Sequence, residues 1–414
     1  MTNRESEVVF ADHGSEHGSE RDLLRACLQR DLGKPDRERF HDLLRPDLDW
    51  RYLLSMAQRH ALLPLLYYQL QKCDAGLVPT AHLQKLKFCY QENLARNLVL
   101  MDELLSIARD LRARGIDCLP FKGPLLGMVA YGDPALRQSV DLDVLVLPAD
   151  LVKARDCLVA RGYQATKEVN ARQEQLLIRN QHNMQFARDH LLVELHWRVA
   201  PQLFASGMGA DELWAHLETV KVQEVELKSL RTEELLLALC IHGARHFWER
   251  MSWVCDIAGL LLRNREVDWK RLLKRARETD CERMVLLGLC LARDFASASL
   301  PDEIEQRLAS DPVINSLVQT IGQRFFAADP SVTYVQTLRD QIRLRSHWRA
   351  RARYLSFATS PNEEDFGLSS VPPLLNFVYY GLRPWRLLAR RTGEGRRKQW
   401  RDESIAVIDS HSKV

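Results

Sequence analysis

The sequence predicts an α+β fold, a mixed sheet with helices flanked by N- and C-terminal helical regions. Three observations lead to that class. Residues 50–70 and 80–114 carry apolar side chains at three- and four-residue spacing, the period of an amphipathic helix. Residues 116–225 instead hold short apolar runs bounded by turn residues, which read as strands with interspersed helices. From Thr232 to Arg293 the helical period returns.

Taken in order, residues 1–18 are rich in Ser, Glu, His and Gly and are expected to be disordered. An N-terminal helical region follows over 19–115, punctuated by Pro64 and Pro79. An α/β domain is expected over 116–228 and a helical domain over 229–330. Residues 331–414 form a basic C-terminal helical segment and tail.

The α/β segment opens with a mostly apolar stretch, 116–121, then Lys122-Gly123, then a short helix over 125–129. A strand–glycine turn–helix lets backbone N–H groups approach a phosphate, and a helix N-terminus favours its charge. Lys122 would add a point charge, or it is a solvated loop lysine beside a glycine that merely closes a turn. Pro134 cannot continue a helix, so this one must end near Tyr131-Gly132. Arg137 then lies in a loop, where it either clamps a phosphate bidentately or pairs with Asp133.

Asp141-Leu142-Asp143-Val144-Leu145-Val146 comes next. In a strand, residues i and i+2 share a face, so Asp141 and Asp143 project together. Past them both faces turn apolar, with Leu145 and Leu147 on one side and Val144 and Val146 on the other, as in a strand buried on both faces. Two carboxylates at the mouth of such a strand repel and lose hydration, which a cation relieves. Mg²⁺ (or Mn²⁺) takes oxygen ligands of this kind. The plainer reading is the polar face of an ordinary strand or turn.

A helix over 148–161 ends at Gly162-Tyr163, a C-cap signal. Residues 184–188 and 191–199 read as two strands joined at Asp189-His190. Glu194 and His196 would share one face of the second strand, with Leu195 and Trp197 on the other. A carboxylate and an imidazole side by side serve acid–base chemistry or metal ligation, or form a solvated hairpin face.

Thr232 is placed to cap the next helix, with Glu233 and Glu234 in its first turn, although Leu235 replaces the acid of a full capping box. His242 and His246 stand at i and i+4, a spacing that can hold zinc. Gly243 occupies the position where a zinc protease needs its glutamate, which excludes that activity. This face, with Trp253 and Asp256, is expected to pack on the α/β domain and to line its cleft. Trp248 and Trp253 are core residues or stacking platforms.

A chain of 414 residues with a net charge of +3 and 46% hydrophobic residues belongs with ordinary globular proteins. That charge is too small to argue for nucleic acid. The polar, acidic N-terminus has no secretory apolar core, and no apolar run approaches the roughly 20 residues needed to span a bilayer, so a cytoplasmic location is expected. Nine cysteines without a Cys-x-x-Cys pair read as reduced, mostly buried thiols.

The pattern Lys122-Gly123 … Tyr131-Gly132-Asp133-Pro134 … Arg137 … Asp141-Leu142-Asp143 … Leu145-Val146 resembles the bacterial group of nucleotidyltransferase family proteins, within the polymerase-beta-like superfamily. Val193-Glu194-Leu195-His196-Trp197 resembles its downstream strand. Residues 242–246 and 253–256 and Asp268-Trp269 resemble its helical second half. The likeness runs from about residue 50 to residue 300.

The resemblance implies a nucleotidyltransferase-like mixed sheet and a Mg²⁺-dependent reaction. In that reaction a hydroxyl or phosphate attacks the α-phosphorus of a nucleoside triphosphate and pyrophosphate leaves. Asp141, Asp143 and Glu194 become the catalytic and metal-ligating carboxylates. Lys122 and Gly123 become the phosphate turn, with Arg137 and His196 as further nucleotide-binding residues. Better-known members carry Gly-Ser where this chain has Lys122-Gly123-Pro124, with a shorter interval to the aspartates. The implied acceptor is a small molecule, sugar or peptide rather than a polynucleotide. A second reading is a catalytically inactive nucleotide-binding or scaffold protein of the same fold.

The C-terminal arginines (Arg343, Arg345, Arg349, Arg351, Arg353, Arg383, Arg386, Arg390 and Arg391 among them) flank an apolar stretch, 374–380. Such a segment docks on the core as an amphipathic helix with a basic tail, or makes peripheral contact with an anionic membrane.

Overall fold

The computed structural model describes residues 17–360 and 391–392, apart from residues 30, 32, 74–75, 168–170, 223 and 265. The expectations for residues 1–16 and for the stretch 374–380 with the arginines beyond it fall outside the described residues, save Arg391, whose backbone alone is described.

The N-terminal region is helical, as its periodicity predicts: α1 (Gly18–Ala26), α2 (Lys34–Asp42), α3 (Trp50–Arg59), α4 (Leu63–Leu70) and the 34-residue α5 (Thr80–Ala113). Asp49 caps α3 by accepting the Tyr52 N–H at 3.0 Å. Pro64 sits in the first turn of α4 and Pro79 just ahead of α5, where a missing N–H is harmless.

The α/β segment forms one five-stranded mixed sheet. Its strands are β1 (Cys118–Pro120), β2 (Leu142–Val146), β3 (Gln164–Ala165), β4 (Asn183–Arg188) and β5 (Leu191–His196), in the spatial order β1-β2-β5-β4-β3. β2 and β5 run parallel and the other pairs antiparallel. Between β1 and β2 lies the short α6 (Gly123–Leu126), which widens into a π-turn over Gly127–Tyr131 and stops at Gly132 (φ 67°), ahead of Pro134 as expected. α7 (Leu151–Ala160) ends at Gly162 (φ 85°), with the Tyr163 N–H bonded back to the Leu158 carbonyl. α8 (Ala171–Asn180) leads into the β4–β5 hairpin, which turns at Asp189 (φ 53°). β5 ends at His196, three residues short of the run read from sequence; the Trp197 and Arg198 N–H groups both bond the single His182 carbonyl, just ahead of β4.

After α9 (Ala210–Trp214) a separate hairpin, β6 (Leu217–Val222) with β7 (Val225–Leu230), leads to the second helical region. This comprises α10 (Thr232–Arg245), α11 (Met251–Arg263), α12 (Trp269–Glu278), α13 (Glu282–Ala296), α14 (Asp302–Ser310), α15 (Pro312–Phe325), α16 (Tyr334–Arg343) and α17 (Trp348–Thr359). Thr232 is not the cap of α10; Arg231 holds that position and Thr232 is the first helical residue, without a side-chain cap bond. Glu233 and Glu234 instead tie α10 to α12, through the Asp268 N–H and through Arg271 and Arg275.

Two cores meet at the sheet. Val144, Val146, Val193 and Leu195 pack on one face with Leu104 and Leu111 of α5 and Leu158 of α7. Leu119, Phe121 and Leu145 face the other way, into the larger core with Ile241, Val254, Ile257 and Leu287. β2 is thus buried on both faces, as its apolar run predicts. All nine cysteines are free thiols, seven of them buried. Arg345 is buried too, stacked 4.0 Å from the Tyr354 ring centroid and donating to the Phe204 carbonyl, so part of the basic run docks on the core. Among the described residues, no helix is long and apolar enough to cross a membrane.

Candidate active site

The parallel pairing of β2 with β5 sets the site. Its register puts Asp143 opposite Glu194 and Leu145 opposite His196. The antiparallel β4 adds Gln185 opposite Glu194 and Asn183 opposite His196. Paired residues share a face, so a polar row forms on the side of the sheet that looks toward the second helical region.

Asp143 is buried, with its Oδ1 taking two donors: Lys122 Nζ at 2.7 Å and His196 Nε2 at 3.0 Å. Burial pushes this carboxyl up, but the Lys122 ammonium and the His196 ring outweigh it and hold Asp143 well below the usual carboxylate range. His196 Nε2 also lies 3.2 Å from Glu194 Oε2. Asn183 donates to the same Oε2 at 2.8 Å and Gln185 to Oε1 at 2.7 Å, so both Glu194 oxygens are held. Burial lowers the His196 pKa, yet Asp143 and Glu194 together raise it above its ordinary value. The oxygens of Asp143 and Glu194 and a nitrogen of His196 all lie within 4.8 Å of one another.

Asp141 stands one residue before β2, and its carboxylate accepts no hydrogen bond from a described protein donor. Burial and the like charges of Asp143 and Glu194 push it up to about 7. It is therefore a neighbour of the cluster rather than a member of its hydrogen-bond network.

The phosphate turn predicted at Lys122-Gly123 packs directly on this strand mouth. Gly123 has φ 58°, and a Cβ there would lie 3.0 Å from the Asp141 carbonyl oxygen, so both the backbone angle and the close approach call for glycine. Arg137 does not pair with Asp133, whose side chain instead accepts the Ala135 N–H at 2.8 Å. Its Nε bonds both oxygens of Asp256 on α11, while NH1 donates to the Gly123 carbonyl at 3.1 Å and to Ser139 at 3.2 Å. Tyr131 O–H reaches the same Asp256 at 2.9 Å.

The C-terminal end of α10 lies beside the cluster. The His242 and His246 rings pack tilted against each other (4.8 Å) and edge-on or tilted against Trp253 (5.0 and 5.6 Å), and no metal-ligating cluster includes them among the described residues. Burial, Lys122 and His246 lower the His242 pKa well below its ordinary value. Arg245 contacts His182, whose ring packs 5.5 Å from His196. Trp248 is buried in the core.

Sequence reasoning missed Asn93, Asn97, Asn183, Gln185 and the Arg137–Asp256 pair. Two signals were present. Asn93 and Asn97 are polar residues at i, i+4 on the otherwise apolar face of α5, and both donate to the loop carrying Arg137. Counting outward from the Asp189-His190 turn pairs Arg188 with Leu191, and hence Gln185 with Glu194. Nothing local announces the long-range bond to Asp256.

A family model described as "Uncharacterised nucleotidyltransferase" matches residues 46–297, a span that contains every element of this site. No curated protein and no solved structure matches the chain.

Proposed function

The chain belongs to the uncharacterised nucleotidyltransferase family, and on that premise we propose that it moves a nucleoside monophosphate from a nucleoside triphosphate to a hydroxyl or phosphate of a small-molecule, sugar or peptide acceptor, releasing pyrophosphate. The observation that carries this reading is Asp143 opposite Glu194 on parallel strands, with Asp141 one step upstream.

The donor set fits a divalent cation such as Mg²⁺ or Mn²⁺. A buried and a half-buried carboxylate converge with an imidazole, and burial together with their negative charge raises the neighbouring Asp141, a repulsion that a cation relieves. Asp141, Asp143 and Glu194 would hold it. When bound, such an ion supplies Lewis-acid stabilisation of the charge that develops in phosphoryl transfer. The chain's own residues do the rest. The Gly123 turn and Lys122 bind the phosphates over the strand mouth. Arg137 fixes that turn through the Gly123 carbonyl. Asn183 and Gln185 hold Glu194 in one orientation, as a ligand or as a base toward the acceptor.

The test is incubation of the pure chain with each α-labelled nucleoside triphosphate, Mg²⁺ or Mn²⁺ and a cell extract as the source of acceptors. The double variant Asp141→Asn/Asp143→Asn is the control. The expected result is pyrophosphate release and label transfer that the control lacks. Triphosphate binding without label in any reaction would replace this function with a non-catalytic nucleotide-binding role.

A further inference from the structure

We propose that His196 is itself a ligand of the divalent ion, beside Asp143 and Glu194, and that the site therefore prefers Mn²⁺ or another transition ion to Mg²⁺. This rests on the metal-dependent reading above and extends it to the chemistry of the ion.

The geometry is specific. His196 Nε2 faces carboxylate oxygens on both sides, at 3.0 Å from Asp143 and 3.2 Å from Glu194. With ligand bonds of about 2.1 Å, neighbouring ligands of an octahedral ion stand about 3.0 Å apart. The observed separations are those of adjacent corners of such a polyhedron. Behind the ring, His196 Nδ1 lies 3.3 Å from the Arg198 carbonyl oxygen. An N–H there, donating to a backbone carbonyl, is the usual arrangement behind a metal-bound histidine, and it would leave Nε2 to ligate an ion once its own proton is displaced. Without an ion, a proton on Nε2 serves both carboxylates; a cation among the three ligand atoms would take that proton's place.

The ring cannot turn away. It is buried, packed edge-on against Phe121 at 5.1 Å and His182 at 5.5 Å. The second oxygen of Glu194 is likewise held by Gln185. A carboxylate-only site suits Mg²⁺, whereas imidazole adds affinity for transition ions.

The experiment uses the full chain with Mn²⁺ alone, and again with an α,β-methylene nucleoside triphosphate. Pulsed paramagnetic resonance reads nitrogen coupling to the bound ion, and calorimetry gives Mn²⁺ and Mg²⁺ affinities. The expected result is a coordinated ¹⁴N signal in the wild type that disappears in His196→Gln. That variant should bind Mn²⁺ at least about 10-fold more weakly, the loss that removing even an outer-shell partner brings, with a smaller loss for Mg²⁺. Mn²⁺ bound in an Asp143-dependent way but without nitrogen coupling would overturn the proposal and leave the nucleotidyl-transfer reading standing. So would coupling that persists in His196→Gln. No Mn²⁺ binding under either condition would overturn both. The wild-type spectrum decides the matter even if His196→Gln fails to fold.

Discussion

Arg137 Nε lies 3.1 and 3.2 Å from the two carboxylate oxygens of Asp256, joining the loop ahead of β2 to α11 in the second helical region. The same guanidinium holds the Gly123 carbonyl, so a helix far along the chain fixes the turn that packs on Asp141. Both partners are nearly out of solvent, with side-chain exposures of 13% and 2%. Removing one partner of such a pair costs about 3–5 kcal/mol, because the other charge is left buried alone. Asp256→Ala should therefore lower the urea midpoint sharply and abolish transfer, and Asp256→Asn should retain part of both. The double variant Asp256→Ala/Arg137→Met should be more stable than Asp256→Ala. Equal stability of the two would show that the pair is not coupled.

Gly123→Ala should damage the site more than the fold. A side chain at φ 58° costs about 1–2 kcal/mol, and its Cβ presses on the Asp141 carbonyl oxygen. Thermal denaturation should show a modest loss, while label transfer drops at least tenfold. Wild-type turnover in this variant would mean that the turn does not need its close approach to Asp141.

Asn97 donates at 2.7 Å to both the Pro134 and the Arg137 carbonyls, and Asn93 donates to the Ala135 and Arg137 carbonyls. Asn97→Ala takes the side-chain donor from the part-buried Pro134 carbonyl and leaves the Arg137 carbonyl to Asn93 alone, at about 1–3 kcal/mol. The two asparagines share the Arg137 carbonyl, so the effects of Asn93→Ala and Asn97→Ala should be non-additive in chemical denaturation. Strict additivity would show that the loop does not respond as a unit.

His60 predicts a pH dependence of stability. Its Nε2 donates to the Phe325 carbonyl at 2.8 Å and its Nδ1 accepts the Met251 N–H at 3.4 Å, a pattern only the neutral ring can make. Burial, with the charge of Arg59, pushes its pKa down to about 3. The folded pKa lies below the unfolded one, so the unfolded chain binds more protons between the two. Stability is full above about pH 6.5 and is lost at about 1.4 kcal/mol per pH unit, from this group, as pH falls toward 3. Urea titrations at pH 7.5 and pH 5 should show that loss in the wild type and a smaller one in His60→Gln. Identical slopes would show that His60 does not titrate in this window.

Much of the local pattern around the site was legible in the linear order. Asp141-x-Asp143 before an apolar run, Glu194-x-His196 after a two-residue turn and Lys122-Gly123 after a short strand are local patterns. Local patterns follow from strand alternation, turn chemistry and helix period, all of which act within a few residues. They carried the α+β class, the helix ends at Gly132 and Gly162, and the burial of β2 on both faces.

What only the tertiary structure decided is which of these residues share hydrogen bonds. Pairing β2 parallel to β5 is a long-range choice, and it brings Asp143 to Glu194 and His196 while Asp141 stands just outside that network. Arg137 turned to Asp256 rather than Asp133, since Asp133 was already spent on capping the turn at Ala135. Asn93 and Asn97 acquired their role only when α5 packed under that loop. Partners so far apart in sequence are selected by the need to satisfy every buried polar group at once, a condition set by the packed whole that no local pattern encodes.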